Sequence, residues 1–135
     1  MDLNYLLTKL YTKTMKKKIL IVDDEPNIVM TLEYTFKKKG LEVLIARDGS
    51  EALQILEHQI PDVILLDIMM PNVDGYQTLK FIKDNPKLNN IKVAFLTAKN
   101  KTTDIEKGLK LGADKYLTKP FSIKKIVSEI FELIN

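Results

Sequence analysis

From Lys18 onward, apolar runs of strand length alternate five times with segments whose apolar residues recur at helical spacing. This alternation constrains the fold more than any other feature. The runs place strands at Lys18 to Asp23, Leu41 to Ala46, Asp62 to Asp67, Ile91 to Thr97 and Asp114 to Thr118. The spacing predicts helices at about Pro26 to Lys39, Ser50 to His58, Tyr76 to Asp84, Lys101 to Leu111 and Ile123 to Asn135. Pro26 stands where a first helical turn tolerates proline, Gly40 and Gly112 stand just past helix ends, and Ser50 and Ser122 are placed to cap. The first and third strands are apolar on both alternating faces, as parallel strands are when helices cover both sides. The expectation is a doubly wound α/β domain of five βα units, with a parallel five-stranded sheet.

A chain of 135 residues with 45% hydrophobic content suits one domain with one core. No repeat or linker divides residues 16–135, so these form the expected domain and residues 1–15 a leader or appendage. Within the leader, Leu3, Leu6, Leu7 and Leu10 fall at helical spacing; it reads as a short amphipathic helix, a vector-derived segment or an upstream start before Met15. The absence of cysteine excludes disulfides and thiolate metal sites. The longest apolar runs have four residues, against the roughly 20 that span a bilayer, and no secretory signal is legible. A cytoplasmic protein without a membrane partner is expected. The charge of +3 is spread through short lysine groups without interleaved aromatics, which reads as a solvated surface and not as a nucleic-acid site.

Ligands of open parallel sheets bind beyond the carboxyl ends of the strands, where the strand order reverses. Asp23 and Asp24 end the first strand and Asp67 the third. In the order 2-1-3-4-5 these strands are neighbours, so the three carboxylates are expected to converge. Their repulsion calls for a cation, and an all-oxygen set suits a hard ion, Mg²⁺ with Mn²⁺ as the alternative. For Asp23, Asp24 and Glu25 alone, helix capping ahead of Pro26 is the competing explanation, and Asp67 tips the balance to a metal. Thr97 ends the fourth strand and Lys119 follows the fifth, adding a hydroxyl and a fixed cation. A nucleophilic carboxylate, a metal-holding acidic pair, a hydroxyl and an ammonium make a set for phosphoryl transfer, with an aspartyl phosphate on Asp67 as product.

Four segments in register, "ILIVDDEP", "PDVILLDIMMPNVDGYQTLK", "VAFLTA" and "GADKYLTKPF", resemble the receiver domain of bacterial two-component response regulators, the CheY-like family, over residues 16–135. The resemblance implies a flavodoxin-like sheet and phosphorylation of Asp67 by a sensor histidine kinase or phosphotransfer protein. It implies Mg²⁺ bound by Asp24, Asp67 and the backbone carbonyl of Met69, with Asp23 acting mainly through a water on the metal. Thr97 would turn its hydroxyl to the phosphoryl group, and Lys119 would pair with it, before a cis bond to Pro120. Tyr116 falls at the family's switch aromatic. Its rotation into space vacated by Thr97 would reshape the surface of the fourth helix, fifth strand and fifth helix, counted from Pro26. The protein would thus be a switch that catalyses its own phosphorylation and dephosphorylation, and not a metabolic enzyme. An output partner or effector domain is implied, as is a phosphorylation-dependent homodimer, although Lys125 follows Lys124 where the family's winged-helix members often carry Glu.

Other readings fit less well. A haloacid-dehalogenase-type phosphatase needs an acidic residue at the position of Met69, and a flavin or nucleotide module needs a Gly-rich loop where Asp23-Asp24-Glu25 stand. A receiver-like scaffold that only binds partners usually lacks acidic or lysine positions that are intact here. His58, ahead of Pro61, reads as a solvated helix-end residue, and Met69, Met70 and Lys99 as cover or as tuners of phosphoryl lifetime.

Overall fold

The computed structural model describes residues 2–14 and 16–135; Met1 and Met15, which bracket the expected leader, lie outside the described residues. Elements follow in the order α1 (Leu3–Thr14), β1 (Lys18–Val22), α2 (Pro26–Lys38), β2 (Glu42–Ala46), α3 (Gly49–Leu56), β3 (Val63–Leu66), α4 (Gly75–Asp84), β4 (Lys92–Thr97), α5 (Thr102–Lys110), β5 (Lys115–Thr118) and α6 (Ile123–Ile134). The strands form one parallel sheet in the order β2-β1-β3-β4-β5, as expected. Leu3–Thr14 are helical, and residues 2–10 are exposed throughout.

Alternation along the strands divides the core in two. Ile19 and Ile21 of β1 and Val63 and Leu65 of β3 face Leu32 and Phe36 of α2 and Ile126 and Ile130 of α6. Leu20, Val22, Ile64 and Leu66 point the other way, among Ala52 and Leu56 of α3, Leu79 and Ile82 of α4, and Phe95. Both central strands are buried over this whole span, which is why they read as unbroken apolar runs.

Helix ends are set by local chemistry. After α2, Gly40 takes φ +94°, its N–H bonds the Lys37 carbonyl, and the Leu41 N–H reaches back to Phe36. Gly112 repeats the arrangement after α5, so at both places the chain turns straight into the next strand. Ser122 caps α6, accepting from the Lys125 N–H as expected. The expected cap at Ser50 is corrected: Asp48 has the extended backbone of a cap and accepts from the Glu51 N–H at 2.9 Å, so the helix begins earlier, at Gly49.

Candidate functional site

Register alone brings the polar strand ends together. Val22 pairs with Leu66, so Asp23 and Asp67 leave adjacent strands side by side, and Thr97 pairs with Thr118, just before Lys119. The ladder continues past the strands: Asp67 N–H donates to the Val22 carbonyl at 3.0 Å and Lys119 N–H to the Thr97 carbonyl at 2.8 Å. The Lys119–Pro120 peptide is cis.

The Lys119 ammonium is the hub. It donates to Asp23 Oδ2 at 2.9 Å, to Glu25 Oε1 at 2.8 Å and to Asp67 Oδ2 at 3.3 Å. Asp23 and Asp67 are buried, as is Thr97, while Glu25 is exposed. Asp23 Oδ1 accepts from the Glu25 N–H at 2.9 Å, and Asp67 Oδ1 from the Met69 N–H at 3.2 Å, so each carboxylate is held at both oxygens. Burial pushes the Asp23 carboxyl above its ordinary value, against the lowering effects of its bonds to Lys119 and Glu25. At Lys119 burial acts to lower the pKa, yet hydrogen bonds to Glu25 and Asp23 outweigh it and the ammonium is held above its ordinary range.

The third carboxylate of the cluster differs from the expected one. Ligand oxygens of Asp23, Glu25 and Asp67 lie within 4.8 Å of one another. Asp24 is exposed and, with Asp23, lines a groove that continues over Pro26, Val29, Met30, Ile45 and Arg47. The chain bends at Asp24, where the Glu25 N–H closes back onto Asp23 Oδ1, and the bend lets the Glu25 side chain reach Lys119 beside Asp23. Capping does not explain this acidic segment either: Glu25 occupies the N-cap position of α2 without a side-chain cap bond. Sequence reasoning missed this use of Glu25; the only available signal was the presence of a poor capping residue at a capping position.

Met69 is exposed, beside the Asp67 loop. His58 is exposed, with its ring 3.9 Å from the Glu57 carboxylate, as expected of a solvated helix end. Tyr116 donates its hydroxyl to the Lys99 carbonyl and packs edge-on against Phe95, with ring centroids 5.7 Å apart. Two glycines give the site its room. A Cβ on Gly75 would lie 2.4 Å from the Asp67 carbonyl oxygen, and one on Gly108 would lie 2.9 Å from the Tyr116 ring.

Residues 19–131 match the family model of the response regulator receiver domain. The chain belongs to the response regulator receiver family. Its sequence is 42% identical over 121 residues to the alkaline phosphatase synthesis transcriptional regulatory protein PhoP of Bacillus subtilis, covering 90% of this chain and 50% of that protein. The chain therefore spans about half the length of this curated relative. A Francisella response regulator receiver domain superposes with a TM-score of 0.82 at 36% identity, covering 88% of this receiver chain and 97% of that one. A chemotaxis response regulator of Vibrio cholerae gives a TM-score of 0.83 at 28% identity, covering 88% and 99% respectively. Both the family and the fold expected from the four sequence segments are thus shown, and the scaffold reading is not favoured. Among the described residues no helix is long and apolar enough to cross a membrane.

Proposed function

We propose that Asp67 accepts a phosphoryl group from a phosphohistidine donor on a sensor histidine kinase or phosphotransfer protein, with Thr97 and Lys119 binding the transferred oxygens. One observation carries this reading: Asp67 and Asp23 leave adjacent strands buried at the sheet's carboxyl edge and share one Lys119 ammonium. In the transfer a carboxylate oxygen of Asp67 bonds to phosphorus, and the phosphorus–nitrogen bond of the donor breaks. The electron pair goes to the imidazole nitrogen. Asp67 Oδ1 accepts from the Met69 N–H and Oδ2 from Lys119, so the carboxylate is oriented before transfer. Lys119 needs no proton transfer, because its ammonium is present throughout the neutral range.

The donor set fits Mg²⁺. Three carboxylates face one ammonium, and two of them, Asp23 and Asp67, are buried, so the cluster holds more negative charge than Lys119 balances. All available ligands are oxygens, which select a hard divalent ion. Asp67, Asp23, the exposed Asp24 and the Met69 carbonyl would hold it, and when bound it would neutralise charge on the phosphoryl oxygens.

We further place the receiver unit at residues 16–135, with residues 1–15 as an appendage. The name of the Bacillus subtilis relative describes a transcriptional regulator, and the same kind of output, through an effector domain or partner, is proposed here. The switch surface would be α5, β5 and α6, the setting would be cytoplasmic, and a phosphorylation-dependent homodimer belongs to the same reading.

The test is intact mass after incubation with acetyl phosphate, with and without Mg²⁺, on wild type and Asp67→Asn. A Mg²⁺-dependent gain of one phosphoryl group, absent from a folded Asp67→Asn, is expected. Equal incorporation into the mutant would reject Asp67 as acceptor.

A further inference from the structure

We propose that Glu25 is a displaceable latch on Lys119: its carboxylate occupies the ammonium donor that a phosphoryl oxygen on Asp67 takes over. An ammonium has three N–H donors, and here all three are taken, by Asp23, Glu25 and Asp67. A phosphoryl oxygen can pair with Lys119 only if one of them yields. Asp23 is held on its other oxygen by the Glu25 N–H, and its side chain is 4% exposed, so withdrawing it would strand a buried carboxylate. Asp67 is the acceptor and stays in place. The Glu25 side chain is 56% exposed and can swing into water at little cost.

The local backbone supports the assignment. Glu25 is the N-cap residue of α2, yet its side chain caps nothing and reaches across to Lys119, 94 residues away in sequence. Glutamate is long enough for this reach. Aspartate at the same position would be one methylene shorter and would favour the free N–H groups at the start of its own helix. The latch keeps Lys119 centred in the unmodified protein and lets go when an anion of higher charge arrives.

This inference rests on the phosphoacceptor reading above, and one experiment separates the two. The second-order rate constant for labelling by acetyl phosphate, and the Mg²⁺ concentration giving half-maximal rate, are measured for wild type, Glu25→Gln and Glu25→Asp, with melting curves to check folding. The latch predicts that both variants label about two- to fivefold faster at low acetyl phosphate, the scale of a partly exposed ion pair, with an unchanged Mg²⁺ midpoint. A faster Glu25→Gln beside a wild-type-like Glu25→Asp would mean general charge repulsion and would overturn the latch. Slower labelling, or a raised Mg²⁺ requirement in either variant, would assign Glu25 to the metal and also overturn it, as would unchanged rates in both. Failure of the wild type to label at all would instead reject the phosphoacceptor reading itself.

Discussion

Tyr116 donates its hydroxyl to the Lys99 carbonyl at 2.7 Å, and its ring fills space that exists only because residue 108 of α5 is glycine. Burial pushes the Tyr116 phenol well above its ordinary pKa, so the hydroxyl remains a donor throughout the neutral range. The ring, Phe95 and α5 are therefore one packed unit, and Lys99 ties that unit to the loop following Thr97.

Gly108→Ala should expose this packing. A new Cβ would stand 2.9 Å from the Tyr116 ring and 3.2 Å from Phe95, so overpacking should cost about 1–3 kcal/mol, partly offset by alanine's helix preference of about 1 kcal/mol. In a Tyr116→Ala background the clash with that ring is gone and the same substitution should turn neutral or stabilising. Urea midpoints of the four proteins in this cycle check it.

Gly75→Ala should injure the acceptor loop. Its Cβ would meet the Asp67 carbonyl oxygen at 2.4 Å and the Ile68 Cα at 2.6 Å, both backbone atoms that cannot rotate away. A stability loss of about 1–3 kcal/mol is expected, with slower acetyl phosphate labelling as Asp67 is displaced. Denaturant unfolding and labelling rates measured together would show whether stability and rate fall jointly.

Mg²⁺ should raise the melting temperature, since an ion bound only by the native state stabilises it by about 2.7 kcal/mol at one hundred times its dissociation constant. Superimposable melting curves in EDTA and in excess Mg²⁺ would count against the metal site. Asp67→Ala should shrink the shift by removing a ligand.

Asp23 carries a pH signature in the metal-free protein. Its folded pKa is raised, with burial as the leading cause, so between the unfolded value of 3.8 and the higher native value the folded state binds more proton than the unfolded state. Its contribution to stability therefore falls as pH rises through that window. Measured in EDTA, the stability difference of wild type minus Asp23→Asn should decline from acidic toward neutral pH. A difference that rises with pH would contradict the assignment.

The ordering of strands and helices was legible because both central strands are buried on two faces and leave uninterrupted apolar runs, while Gly40 and Gly112 mark helix ends by the conformation they alone adopt readily. The site positions followed from the same pattern, since Asp23, Asp67, Thr97 and Lys119 all stand at or just past the ends of strands. The cap at Ser50 was misplaced because Asp48, two residues earlier, offers a competing acceptor, and only backbone dihedrals decide between them.

What the sequence by itself determined was the doubly wound domain, its family and the edge at which its polar residues gather, because period, turn chemistry and motif order are written in one dimension. Only the tertiary structure decided that Glu25, and not Asp24, joins Asp23 and Asp67 around Lys119, and that Gly108 makes room for Tyr116. The reason is physical: a side chain's direction at a strand end and the clearance behind a ring depend on elements far apart in sequence, packed against each other at ångström distances.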